Sequence, residues 1–174
     1  NIQPGDYYVI FSNIPQNYEF ITVSNLVDEN GKTDCFTLEG GEINNDIDAP
    51  IAPILGSIGD LVWNDLNRDG IRQEGEPGVE GVTVTLYNCN DDTPTGLSAT
   101  TDANGNYTIS NIEPGSYYVI FSDVPANYEF VTTGGFVDNT GKSNCFVIEP
   151  ASNLTNIDAP IAQNLNPASI GSLV

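Results

Sequence analysis

Between residues 65 and 76 the chain spaces its oxygens in a pattern that suits a hard cation. With Asp65 as position 1, the side chains of Asp65, Asn67 and Asp69 offer carboxylate or amide oxygens at positions 1, 3 and 5. Gly70 follows at 6, Ile71 has a backbone carbonyl at 7, Gln73 stands at 9 and Glu76 closes the run at 12. Calcium takes about six to eight oxygens in a flexible shell, and a loop of this ligand order supplies them, with glycine permitting the sharp turn. On this reading Gln73 binds directly or through water, and Glu76 binds with both oxygens. The competing reading is an acidic surface turn, because Asp, Asn and Gly are common in turns for their own reasons. Asp60, Asp102 and Asn104 are weaker candidates, able to complete this site or to form a neighbouring one.

Little else in the chain suggests chemistry. There is no histidine, and no nucleophile is spaced to meet a base. The 24 acidic residues form many pairs, but no spacing singles out one for glycoside hydrolysis. The chain therefore reads as a protein that is not an enzyme.

The elements around the loop limit what an ion can do there. Trp63 precedes it in a β-prone run, and Pro77-Gly78-Val79 leads out toward another. A calcium loop that acts as a switch opens a pair of helices. Between two strands, a bound ion stiffens instead.

Most of the chain shows the same β character. Residues 81–87 alternate strictly, with Val82, Val84 and Leu86 on one face. Further strands are expected near 57–63, 97–101, 106–110, 117–121, 128–132, 145–148 and 157–161. Asp102-Ala103-Asn104-Gly105 reads as a hairpin turn and Glu113-Pro114-Gly115 as a second turn. Seven or eight short strands with turns at this spacing predict an antiparallel Greek-key β-sandwich.

The sequence also repeats itself. Asn1-Ile2-Gln3-Pro4-Gly5 returns as Asn111-Ile112-Glu113-Pro114-Gly115, Cys35-Phe36 as Cys145-Phe146, and Ile47-Asp48-Ala49-Pro50 as Ile157-Asp158-Ala159-Pro160, each 110 positions later. Ser57-Ile58-Gly59-Asp60-Leu61-Val62 is echoed by Ser169-Ile170-Gly171-Ser172-Leu173-Val174, 112 positions on. A period of this size is that of a whole domain. The expected organisation is the back half of one domain in residues 1–54, a complete domain in 55–166 and the first strand of a third in 167–174. The chain thus reads as an excised segment, with short junctions that keep successive domains close.

The repeat also bears on the three cysteines. Cys35 is the counterpart of Cys145, so its partner is expected outside the segment or in a neighbouring chain. Within the complete domain Cys89 and Cys145 are left as the natural disulfide, with two buried thiols as the alternative. A disulfide places the protein outside the cytosol. Asn106 and Asn153 each begin a glycosylation sequon, a short pattern that is often met by chance.

Charge narrows the partners. Lys+Arg total 4 against 24 Asp+Glu, a formal charge of −20, which repels nucleic acid and anionic membranes and favours cations. No apolar run approaches the roughly 20 residues of a membrane helix.

The run from Gly56 to Gly70, followed by Glu76-Pro77-Gly78-Val79-Glu80-Gly81-Val82, is similar to the SdrD B-like domain. This is the calcium-binding B repeat of serine-aspartate-repeat adhesins, a relative of collagen-adhesin B-type modules. Thr101-Asp102-Ala103-Asn104-Gly105-Asn106-Tyr107 extends the resemblance. It implies a prealbumin-like sandwich, calcium in the 65–76 loop and tandem use as a stalk on a bacterial surface. Some relatives carry a Lys–Asn isopeptide bond, but the complete domain's only lysine is Lys142, in a turn, and none is expected here. The cysteine pair looks like this chain's own staple and suggests bearers other than the typical adhesin organisms, bacterial or archaeal. The expected function is a repeat of an extracellular stalk or secreted fibre, partnered by neighbouring copies in one chain or in a homopolymeric filament. The alternative is an adhesin module whose Tyr117, Tyr118 and Tyr128 contact a host protein or glycan.

Overall fold

The computed structural model describes residues 2–23 and 25–164. It divides into two compact units, the first ending at Ile54 and the second beginning at Leu55. The strand expected in 167–174 lies outside the described residues.

In the first unit, β1 (Gly5–Tyr7) pairs antiparallel with β3 (Phe36–Leu38), and β2 (Tyr18–Phe20) with β4 (Ile51–Pro53). These are two short ladders with much of their apolar surface open.

The second unit holds β5 (Gly56–Asn64), β6 (Thr83–Asn88), β7 (Pro94–Thr100), β8 (Asn106–Ile112), β9 (Gly115–Ser122), β10 (Tyr128–Phe130), β11 (Phe146–Ile148), β12 (Asn153–Leu154) and β13 (Ala159–Gln163). One sheet runs β10-β13-β5-β12, with β8 also on β5; the other runs β11-β9-β6-β7. No described residue is helical. The alternation read in 81–87 is what builds the second sheet's inner face: Val82, Val84 and Leu86 are all fully buried. They meet Ile58 and Val62 of β5, Tyr107 and Ile109 of β8, and Phe121 of β9 in one core. Tyr107 and Phe121 cross it edge to face at 5.8 Å, a favoured aromatic geometry.

Three features differ from the strand pattern read in the sequence. Strand β10 stops at Phe130 rather than Thr132, because the chain turns at 132–135, where the Gly135 amide donates to Thr132 O. In β8, Ile58 faces Ile109 while Gly56 faces Ile112, so an extra residue bulges out. Asn111 absorbs it at φ 60 and lets Ile112 turn inward. Finally, β12 and β13 lie parallel to β5, whereas all the other pairings are antiparallel as expected. Both strands follow β11 of the opposite sheet, so a crossover rather than a hairpin sets their direction.

Candidate functional site: the 65–76 loop

Strand β5 delivers Asp65 into the protein. The Asn64 amide donates to Pro77 O at 2.8 Å and the Asp65 amide to Ile161 O at 2.8 Å, which ties the loop's entry to its exit and to β13. The exit is held in turn by buried Thr101, whose hydroxyl donates to Val79 O at 2.7 Å and accepts from the Val82 amide at 2.9 Å.

The six residues singled out in the sequence are gathered around one turn. Asp65 is 0% exposed, and its Oδ2 accepts the Gly70 amide at 2.8 Å. Glu76, also buried, reaches back over the loop: Oε1 accepts the Leu66 amide and Oε2 the Gln73 amide, each at 2.9 Å. Asp69 Oδ1 accepts the Ile71 amide at 2.8 Å, and Oδ2 accepts Asn67 Nδ2 at 2.9 Å and Gln73 Nε2 at 2.6 Å. The Ile71 amide above all, helped by Asn67 and Gln73, holds the Asp69 carboxyl below the usual carboxylate range. Gly70 sits at φ +75 against the Thr133 carbonyl, where a Cβ has no room.

One atom in this arrangement is unspent. Asp65 Oδ1 is buried and has no hydrogen-bond partner, one of three such side-chain atoms among the described residues, with Trp63 Nε1 and Ser152 Oγ. Buried polar atoms are nearly always satisfied, and this carboxylate oxygen is not. Among the described residues no group of three or more His, Cys, Asp or Glu side chains is poised to hold a metal ion. The donor set is instead mixed: three carboxylates, two side-chain amides and a carbonyl, the blend a hard cation accepts.

The weaker candidates border the loop rather than forming its turn, and Asp60 lines a cavity with Gly70, Ile71, Arg72 and Asp158. Asp102 accepts the amides of Asn104 at 2.8 Å and Asn106 at 2.9 Å, so it builds its own turn. Those two amides, Asn106 first, hold its carboxyl low. That turn does reach the loop's end of the sandwich, since Asn104 and Gly105 press on Gly78. Asp60 pairs instead with Asp158, whose Oδ1 accepts the Leu61 amide at 3.1 Å. Burial, reinforced by the Asp60 charge, pushes Asp158 up to about 6.

Arg68 is a working residue that the loop pattern does not contain. Its guanidinium meets Glu129 Oε1 at 2.7 Å and Gln163 O at 2.5 Å, clamping the loop onto β10 and β13. With only 4 Lys and Arg in the chain, an arginine inside an acidic loop was the available signal.

At the sandwich's other sheet, Cys89 and Cys145 are joined, with Cα atoms 6.2 Å apart. They follow β6 and precede β11, so the bridge spans β9. Cys35 is an exposed free thiol. The Lys142 ammonium lies 3.9 Å from the Tyr118 ring centroid and 3.5 Å from Asp92 Oδ1.

Fold and loop together define a class: an all-β sandwich module with an acidic, oxygen-lined loop between two strands. The chain belongs to the SdrD B-like domain family, which it matches over residues 56–168. It is 37% identical over 164 residues to serine-aspartate repeat-containing protein D of Staphylococcus aureus, an alignment covering 89% of this chain and 12% of that protein. To serine-aspartate repeat-containing protein F of Staphylococcus epidermidis it is 37% identical over 141 residues, covering 74% and 8% respectively. The chain thus spans about an eighth or less of the length of these relatives. Among solved structures, the Bacillus anthracis TIE protein resembles it with a TM-score of 0.55 at 15% identity, covering 92% of this chain and 25% of that one. At that identity the likeness is one of fold.

Proposed function

We propose that the chain is a structural repeat of an extracellular stalk or fibre on a bacterial surface, in which calcium in the 65–76 loop locks the sandwich. Asp65, Asn67, Asp69, Gln73 and Glu76 hold the ion with their side chains and Ile71 with its carbonyl. The Asn67 and Gln73 amides, which now donate to Asp69, turn their oxygens to the metal. Residues 1–54 are the back half of one repeat, 55–166 a complete one and 167–174 the start of the next. Neighbouring copies are the partners.

The observation that carries the calcium assignment is the orphaned, fully buried Asp65 Oδ1. Family membership supports the repeat assignment, and the Cys89–Cys145 bridge supports an oxidising, extracellular setting. An ion bound only by the folded state stabilises it by mass action, by about 4 kcal/mol at a thousand times Kd. The adhesin alternative draws no support from its tyrosines. Tyr118 is buried and stacks on Tyr87 at 5.2 Å, while Tyr117 and Tyr128 pack against the core.

Melting the chain in calcium and in EDTA tests this reading. A Tm that rises with calcium concentration and falls back on chelation is expected; an unchanged Tm sinks the calcium lock.

A further inference from the structure

The stalk reading leaves one cavity of the second unit without a role. It holds about 290 Å³, at the lower edge of the roughly 300–1,000 Å³ that ligand pockets span, so it suits a ligand of one small ring. Strand β5 supplies part of its lining. Val62 points into the core, so the period-two alternation of a strand turns its neighbours Leu61 and Trp63 to the opposite face. Both line the cavity there, and both are buried. Ile71 of the 65–76 loop and Phe136 extend the apolar wall, with Phe136 meeting Trp63 edge to face at 6.4 Å. Ile71 is 63% exposed, so this wall opens to solvent rather than closing into the core.

Three charged groups and one orphaned donor share that lining. Asp60, Asp158 and Arg72 all border the cavity. Burial and then the Asp60 charge push the Asp158 carboxyl up, while Arg72 draws it back. The orphaned donor is the indole N–H of Trp63. This residue is 2% exposed, and its Nε1 has no hydrogen-bond partner among the described residues, although buried polar groups as a rule have one. The cavity thus sets two acceptor groups and two donor groups among apolar walls. A bare cation would meet Arg72, and a bare anion would meet two carboxylates. A hydroxyl both donates and accepts, so a neutral ring bearing several hydroxyls satisfies both sets at once.

We propose that this cavity is a carbohydrate subsite that takes one neutral pyranose residue. Hydroxyls of the sugar donate to Asp60 and Asp158, its oxygens accept from Arg72 and from the Trp63 N–H, and its C–H face lies on Ile71 and Phe136. A few convergent polar groups in an apolar cleft are what fix the orientation of a small ligand. Sugar hydroxyls at the two carboxylates also replace a contact between like charges with hydrogen bonds. The subsite is separate from the calcium reading of the 65–76 loop. Only Ile71 belongs to both, through its side chain here and its carbonyl there.

Trp63 is the chain's only tryptophan, so its fluorescence reports on the cavity. The 174-residue chain is titrated with the methyl glycosides of glucose, mannose and galactose, in calcium and again in EDTA. Tetramethylammonium and acetate serve as charged probes. Expected is a saturable change in Trp63 emission with at least one glycoside, in the millimolar range, and none with either charged probe. Asp60→Asn and Arg72→Ala should each weaken that binding about tenfold, since each removes a charged hydrogen-bond partner. Both side chains are exposed, so both variants are expected to fold. The proposal is overturned if no glycoside saturates the signal in either buffer, the result of a cavity that holds only water. It is equally overturned if both variants respond like the parent, or if a charged probe saturates the signal and no glycoside does. The calcium-dependent Tm is recorded on the same samples, so a failed sugar subsite and a failed calcium lock are read separately.

Discussion

Asp65 is a carboxylate that folding removes from water while leaving one of its oxygens without a partner. An unmet buried acceptor costs about 1–3 kcal/mol. Asp65→Asn keeps an oxygen for the Gly70 amide and removes the charge. In EDTA the variant is expected to be as stable as the parent or more so, by on the order of 1 kcal/mol. In calcium it should lose most of the metal-induced stabilisation, and paired urea melts with and without calcium check both signs. A second residue-scale prediction concerns Asp158. Its folded pKa, raised to about 6 by burial and then by Asp60, lies above the ordinary carboxylate value of 3.8. The folded state therefore binds the proton more tightly than the unfolded state does. That contribution is fully present below pH 4 and is lost as the pH rises toward and through 6. Chelated protein should show this decline between pH 4 and 6, and Asp158→Asn should flatten it. The candidate ligands of the loop could be picked out in the sequence because their spacing is local. Arg68–Glu129 and Asp60–Asp158 were not, since their partners lie 61 and 98 residues apart and only strand pairing brings them together.

At the scale of elements, strands with one buried face announced themselves. Val82, Val84 and Leu86 alternate because the second sheet packs on one side only. The two-residue β12 carries no such signal, and neither does the parallel placement of β12 and β13, which depends on where a long connection lands. The β8 bulge was equally hidden, because Asn111 is an ordinary residue until its left-handed φ is seen. The disulfide belongs to this scale too. It closes a loop of 56 residues between the ends of β6 and β11, which the chain-entropy account values at about 4 kcal/mol. Replacing both Cys89 and Cys145 by serine should lower the unfolding free energy by roughly 2–4 kcal/mol, as read by denaturant titration. A change below measurement error would show that the second sheet does not need its staple.

For the molecule as a whole, a formal charge of −20 means that every fold of this chain works against its own repulsion. In EDTA, Tm should rise as sodium chloride screens that repulsion. With calcium bound the same titration should move Tm less, because part of the charge is already neutralised; differential scanning calorimetry over a salt series separates the two cases. The parallel pairing of β5 with β13 has a mechanical meaning as well. These are the first strand of the second unit and the last one described in it, side by side and pointing the same way. Tension applied through the two ends of such a unit slides one strand along the other. It loads their hydrogen bonds together in shear, whereas two antiparallel end strands would be peeled apart one bond at a time. If shear did break the unit, the 56-residue span closed by the disulfide would still be withheld from extension, about 200 Å of slack at roughly 3.5 Å per residue. Under load, the module is a tether with a stiff catch and a short leash.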